Sequence, residues 1–154
     1  MSNAPISIRP MDVEDIDAVM KNEVRAYEFP WTRGVFLDCL RGNYECWVLV
    51  EHAVVVGHGV LSCAAGEAHL LNVCVGVEHQ GAGFGRILVE HMLNRGSQRD
   101  AEVVFLEVRV TNTVAGALYE SMGFNEIGRR RNYNPAANGH EDARVLALQL
   151  RMPT

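Results

Sequence analysis

Leu71-Asn72-Val73-Cys74-Val75-Gly76-Val77-Glu78-His79-Gln80-Gly81-Ala82-Gly83-Phe84-Gly85-Arg86-Ile87-Leu88 joins an apolar segment to a helical one through three closely spaced glycines. Its apolar start, Ala68 to Val75, reads as a strand. Phe84, Ile87, Leu88 and Met92 then recur at helical spacing, which predicts a helix from the glycine-rich turn to about Arg99. A strand, a turn with Gly81, Gly83 and Gly85, and a helix N-terminus together let backbone N–H groups converge on an anion. Glycine matters there because side chains would block close approach. A pyrophosphate is the natural guest. A P-loop requires Gly-Lys-Ser/Thr where this chain has Gly85-Arg86-Ile87. A dinucleotide fingerprint requires a third glycine where Arg86 stands, and it would follow the first strand of its unit rather than the fourth. From the glycines alone, a structural turn without a ligand remains open.

Outward toward the N-terminus, Trp47–Val50 and Val54–Ser62 read as a hairpin turning at Glu51-His52-Ala53. Ile6–Arg9 is a first strand. Asp12 is placed to cap an amphipathic helix over 12–27, with Val13, Ile16, Val19, Met20, Val24 and Tyr27 at helical spacing. Phe29-Pro30-Trp31 ends it, and Thr32 can cap a second short helix finishing near Gly42. Toward the C-terminus, Val103–Val110 is apolar with almost no alternation, which predicts a strand covered on both faces. Thr113–Met122 is a helix with Gly123 at the position after its end. Two last strands, 124–131 and 143–151, flank a loop with Asn134-Pro135 and Asn138-Gly139. The order β-α-α-β-β-β-α-β-α-β-β mixes hairpins with crossover helices, so the sheet should be mixed.

The chain's 154 residues suit one domain, 1–154, with a core that needs no staple. A net charge of -5 argues against non-specific nucleic-acid binding, so no direct nucleic-acid partner is expected. Cysteines 39, 46, 63 and 74 have no C-x-x-C spacing, and 46, 63 and 74 read as small buried residues in a reducing compartment. The histidines show no metal spacing, with His52 and His58 flanking a turn. The N-terminal residues 1–10 lack a signal peptide's apolar region, and Cys46–Ala65 is too interrupted for a membrane span. The chain is therefore expected in the cytoplasm, off the membrane.

Leu106-Glu107-Val108-Arg109 ends the fifth strand. Glu107 is an acid among apolar residues: a strand-end residue, a partner of Arg109, or a general base. Asn112, Ala115, Gly116 and Tyr119 share one helix face, polar at its ends and small between. That face is either a trough for an elongated ligand or a close-packing surface. Arg129-Arg130-Arg131 reads as a solvated strand end.

Taken together, these residues resemble the GCN5-related N-acetyltransferases (GNAT), whose signature Gln/Arg-x-x-Gly-x-Gly/Ala is matched by Gln80–Gly85. The finer resemblance is to ribosomal-protein-alanine N-acetyltransferases of the RimI type. It is carried by Glu23, Arg25-Ala26, Phe29-Pro30-Trp31, Leu71-Asn72-Val73, Leu106–Arg109, Asn112 and Ala117–Ser121, with Gly123-Phe124, Arg130–Tyr133, Pro135, Gly139 and Glu141–Ala143. The resemblance implies an α/β fold: a central mixed, mostly antiparallel sheet flanked by helices, whose fourth and fifth strands form a parallel pair at an acetyl-CoA cleft. It implies that Val73, Cys74 and Val75 pair with the pantetheine arm, the Val75 N–H polarising the thioester carbonyl. Gly81, Ala82, Gly83, Phe84, Gly85 and Arg86 would hold the pyrophosphate, and Asn112 would touch the arm. Glu107 would be the general base and Tyr119 the general acid, with no metal. Phe29, Pro30, Trp31 and Tyr133 would meet the acceptor, the N-terminal alanine of a small-subunit ribosomal protein (number eighteen).

Three positions depart from that pattern. Gly81 stands where relatives often have Arg, Tyr27 where they have His, and Asn134 where they have a second aromatic residue. Two other acceptors fit the same chemistry, a small amine and a protein lysine, and a non-catalytic acyl-CoA sensor is the non-enzymatic alternative. An N-terminal amine titrates near ~7.7–8.0 and lysine near ~10.4, so deprotonation at pH 7 costs about 1–1.4 against about 4.6 kcal/mol. One carboxylate suits the former. Direct transfer is expected over a covalent acetyl-Cys74, which lacks an evident base.

Overall fold

The computed structural model describes residues 6–137 and 139–151. Among them, the elements run β1 (Ile6–Pro10), α1 (Ile16–Ala26), α2 (Arg33–Arg41), β2 (Glu45–Glu51), β3 (Val54–Ala64), β4 (Glu67–Val75), α3 (Phe84–Gln98), β5 (Val103–Arg109), α4 (Thr113–Ser121), β6 (Asn125–Ala136) and β7 (Gly139–Gln149). The strands form a mixed sheet in the order β1-β2-β3-β4-β5-β7-β6. Glu67–His69 of β4 pair in parallel with Val103–Phe105 of β5. The chain divides into two compact units, one containing the residues up to Ser62 with Leu70–Arg95, the other Cys63–His69 and everything from Gly96. No helix among the described residues is long and apolar enough to cross a membrane.

In the first unit, Asp12 caps the helical segment as the chain predicts, but α1 itself begins later, at Ile16, and ends at Ala26. Asp12 accepts from the Glu14 N–H at 2.7 Å and the Asp15 carboxylate accepts from the Asp12 N–H at 2.9 Å, a capping box that opens with a 3-10 turn over Val13–Asp15. The Arg9 guanidinium grips Asp15 at 2.8 Å and lowers its pKa. Thr32 caps α2 by accepting from the Val35 N–H. The β2–β3 hairpin turns on His52 and Ala53, both at positive φ. Ile16, Val19, Phe36, Val48 and Val60 fill one core cluster, while Leu49, Val56, Phe84 and Leu88 form another that seats α3. Gly57 is required there, because a Cβ would come 2.8 Å from the Cys74 carbonyl and 3.0 Å from Leu88.

In the second unit, β5 pairs antiparallel with β7, and β7 with β6. Val104, Leu106 and Val108 are buried, but the residues between them are only half-buried. The apolar run therefore does not mean equal cover on both faces, as the sequence had suggested. Gly123 ends α4 at φ 104°, as its position requires. The expected loop around Asn134-Pro135 is instead paired strand: Asn134 opposes Glu141 and Pro135 opposes His140. β6 is the sheet's edge, where proline leaves no ladder bond unmade. The irregularity falls earlier, between Arg130 and Asn134, with Asn132 at φ 51°. Asn138 lies outside the described residues. The cysteines are free, and 39, 46 and 74 are buried; Cys63 is only half-buried, contrary to its apolar surroundings in sequence.

Candidate active site

The glycine-rich turn has the geometry an anion cradle needs. Gly81 and Gly83 both adopt φ 85°, and a Cβ on either would meet nothing within 4 Å. Ala82 and Arg86 are exposed, Gly85 is half-buried, and Phe84 is buried in the core, anchoring the start of α3. Ile87 N–H bonds the Gly83 carbonyl at 3.2 Å, so the first turn of α3 closes on the glycine-rich turn. With no side chains at 81 and 83, the backbone of this turn is open to an approaching anion. The Gln80 side chain does not point at that cradle: its amide donates to the Val75 carbonyl at 3.0 Å, tying the turn back to β4.

Val73, Cys74 and Val75 lie on β4 beyond the parallel ladder. Tyr27, one of the departures from the family pattern, donates its hydroxyl to the Val73 carbonyl. Burial, and secondarily the nearby Glu23 carboxylate, push the Cys74 thiol up to about 12, so it is a poor nucleophile. The corner Phe29-Pro30-Trp31 splits in role. Trp31 packs on Phe36 with ring centroids 5.2 Å apart, whereas Phe29 is exposed.

Sequence reasoning missed a buried polar node beside this corner. Glu23, 1% exposed, accepts from the Trp31 N–H at 3.0 Å and from Asn72 Nδ2 at 3.2 and 3.3 Å, and pairs with His58 Nε2 at 2.9 Å. His58 is not beside a turn; it lies inside β3, edge-on to Phe36. The signal was legible. Glu23 extends the apolar stripe Ile16, Val19, Met20, and His58 alternates in step with buried Val56 and Val60. Glu23, His58 and Cys74 also lie within 4.8 Å of one another, near enough to suggest a metal. Both carboxylate oxygens are already engaged, and the set reads as a hydrogen-bonded node.

The second unit carries the acid–base candidates. Glu107 is half-buried on β5, opposite Val145 in the ladder, and has no hydrogen bond or ion pair among the described residues. Arg109, its expected partner, binds Glu141 at 2.9 Å instead. Thr111 also donates to Glu141, and together these bonds hold that carboxyl below its usual range. Asn112 caps α4 by accepting from the Ala115 N–H at 3.2 Å. Tyr119, on α4, lies edge-on to Phe124, and burial pushes its hydroxyl up to about 12. Gly116 is not the floor of a trough: a Cβ there would stand 2.7 Å from the Arg144 guanidinium, which packs against the helix while pairing with Glu120 and Glu126. Tyr133 is exposed, with Arg130 stacked 4.0 Å over its ring. Arg129 pairs with Glu126; Arg129, Arg130 and Arg131 are exposed as expected, but they lie in the middle of β6 rather than at a strand end, because β6 continues to Ala136. Asn134 is half-buried in the β6–β7 ladder.

An open glycine turn at a helix start, with a strand leading into it, is an arrangement that suits an anionic group. Residues 13–124 match the model of the acetyltransferase (GNAT) family, and the chain belongs to that family. It is 36% identical over 146 residues to the [ribosomal protein bS18]-alanine N-acetyltransferase of Escherichia coli K12, covering 95% of this chain and 99% of that one. The Salmonella typhimurium protein of the same name is 37% identical over the same share. The crystal structure of the ribosomal-protein-S18-alanine N-acetyltransferase from Escherichia coli superimposes with a TM-score of 0.91 at 35% identity, covering 97% of each chain. The Ard1 structure from Thermoplasma volcanium, at 24% identity and a TM-score of 0.86, shares the fold.

Proposed function

We propose that this chain is a single acetyltransferase domain that transfers acetyl from acetyl-CoA to the N-terminal alanine of ribosomal protein bS18, in the cytoplasm. The observation that carries the reading is the near-full-length similarity to proteins of that named activity. The site chemistry agrees with it. Acetyl-CoA supplies an activated acyl carbon. Gly81, Ala82, Gly83, Phe84, Gly85 and Arg86 hold its pyrophosphate with backbone amides, and Val73–Val75 and Asn112 line its arm. The Val75 N–H steadies the carbonyl oxygen as negative charge develops there. Phe29, Pro30, Trp31 and Tyr133 receive the acceptor's first residues.

Glu107 takes the proton from the amine as its nitrogen bonds the acyl carbon. Tyr119 gives its proton to the departing sulfur as the C–S bond breaks. Each assignment has support in the chain. Glu107 is unencumbered by a partner, and burial, by pushing the Tyr119 hydroxyl up to about 12, keeps it protonated at neutral pH and so able to donate. The raised Cys74 thiol favours direct transfer over an acetyl-cysteine. The test is acetyl transfer to a peptide that copies the bS18 N-terminus, against the same peptide with a blocked α-amine, a lysine peptide and a polyamine. Transfer to the free α-amine alone supports the reading; preference for a lysine or polyamine rejects it.

A further inference from the structure

We propose that Glu23 is a positioning residue for the acceptor, tying the corner Phe29-Pro30-Trp31 to the strand segment Asn72–Val75. The inference rests on the reading above that this corner lines the acceptor site and this segment the acyl arm. The corner belongs to the link between α1, which ends at Ala26, and α2, which begins at Arg33. A link of this kind has no helix or sheet ladder of its own, so its backbone must be held from outside. Glu23 does so from the last turns of α1. Its Oε2 accepts from the Trp31 N–H at 3.0 Å and from Asn72 Nδ2 at 3.2 Å; its Oε1 meets His58 Nε2 at 2.9 Å and Asn72 Nδ2 at 3.3 Å. One turn further along, Tyr27 donates its backbone N–H to the Glu23 carbonyl and its hydroxyl to the Val73 carbonyl. A single helical turn thus grips both the corner and two successive β4 residues.

Asn22 adds to the grip from the same turn. Its amide donates to the Val55 carbonyl at 3.0 Å, and its oxygen fills the space a side chain would take at Gly76. Glu23 cannot itself serve as the base for transfer. It is fully buried, and its acceptor positions are committed to Trp31, Asn72 and His58. Its effect is exerted through the corner. Without the carboxylate, the Trp31 N–H and the Asn72 amide lose their acceptor in a place that excludes water, and the corner's backbone must move to find another. Glutamine is a different case. Its carbonyl oxygen can serve Trp31 and Asn72 while its NH2 donates to His58 in the tautomer that leaves Nε2 unprotonated.

The test compares wild type with Glu23→Ala, Glu23→Gln and Asn72→Ala, reading Trp31 amide exchange by NMR and the KM of each substrate. Glu23→Ala is expected to speed Trp31 exchange and raise the acceptor KM, each about tenfold, with the acetyl-CoA KM within about twofold. Glu23→Gln should stay within about threefold of wild type on every readout. Asn72→Ala, which leaves the acceptor of Trp31 in place, should raise the acceptor KM by about threefold and serves if Glu23→Ala does not fold. Unchanged Trp31 protection in a folded Glu23→Ala, both KM values rising together, a glutamine variant as impaired as alanine, or an unchanged acceptor KM in Asn72→Ala would each overturn the inference. A wild-type protein that acetylates no α-amine would instead overturn the proposed function, while Trp31 exchange would still report on the tie.

Discussion

Two glutamates stand among apolar residues, one on α1 and one on β5, and their surroundings are opposite. Glu23 is 1% exposed and surrounded by donors from the Trp31 backbone, Asn72 and His58. Glu107 is half-buried and has no such partner among the described residues. A buried carboxylate costs several kcal/mol unless its oxygens are satisfied, so the saturated one is a structural tie. The unsatisfied one is tolerated because it keeps partial access to water. The arginine that sequence offered to Glu107 is occupied with Glu141, which preserves the difference.

The largest expected effect tests the free acid. Glu107→Gln should lower kcat by about 10²–10⁴, the usual range for losing a general base, while acetyl-CoA affinity by calorimetry changes little. Full activity would remove Glu107 from the chemistry and leave the two acids undistinguished. Tyr119→Phe should lower kcat by about 10–10²-fold, again with cofactor binding kept. Gly83→Ala should raise the acetyl-CoA KM by about fivefold: its φ of 85° strains a side chain by about 1 kcal/mol, and a methyl group enters the open cradle. An unchanged KM would place the pyrophosphate elsewhere.

A fourth effect is on stability rather than rate. Burial pushes Tyr119, Cys46 and Cys74 up to about 12 from ordinary values of 10.0, 9.0 and 9.0. The folded chain holds these protons more tightly than the unfolded one. Their contribution is therefore complete below pH 9 and is lost as the pH climbs toward 12. Thermal melts across that range should fall less steeply for Tyr119→Phe than for wild type. The smallest effect belongs to Gly116→Ala. Only the flexible end of Arg144 must shift, so a loss of about 1 kcal/mol or less is expected by denaturant titration, with kcat unchanged. A large fall in kcat would restore the trough reading of that helix face.

Much of this was legible in sequence because local signals agreed with one another. Asp12, Thr32, Gly123 and the 51–53 turn each sit where capping or turn chemistry demands, and the structure uses each that way. The element order and the mixed sheet followed from them. What escaped depends on partners far away in the chain. Gly116 looked like room for a ligand because nothing local reveals Arg144, 28 positions later. Pro135 looked like a loop because its position on an edge strand is a property of the sheet. His58 and Glu23 were each readable as polar residues on a buried stripe, but their pairing across 35 residues was not.

Mass spectrometry of the acetylation products formed by wild type and Glu107→Gln on intact bS18 puts the proposed transfer and its base to the test together. Wild type should place one acetyl group on the α-amine of the N-terminal alanine, and the variant should form the same product far more slowly. Acetyl groups on lysine side chains, an unmodified N-terminus, or equal rates for the two proteins would contradict it.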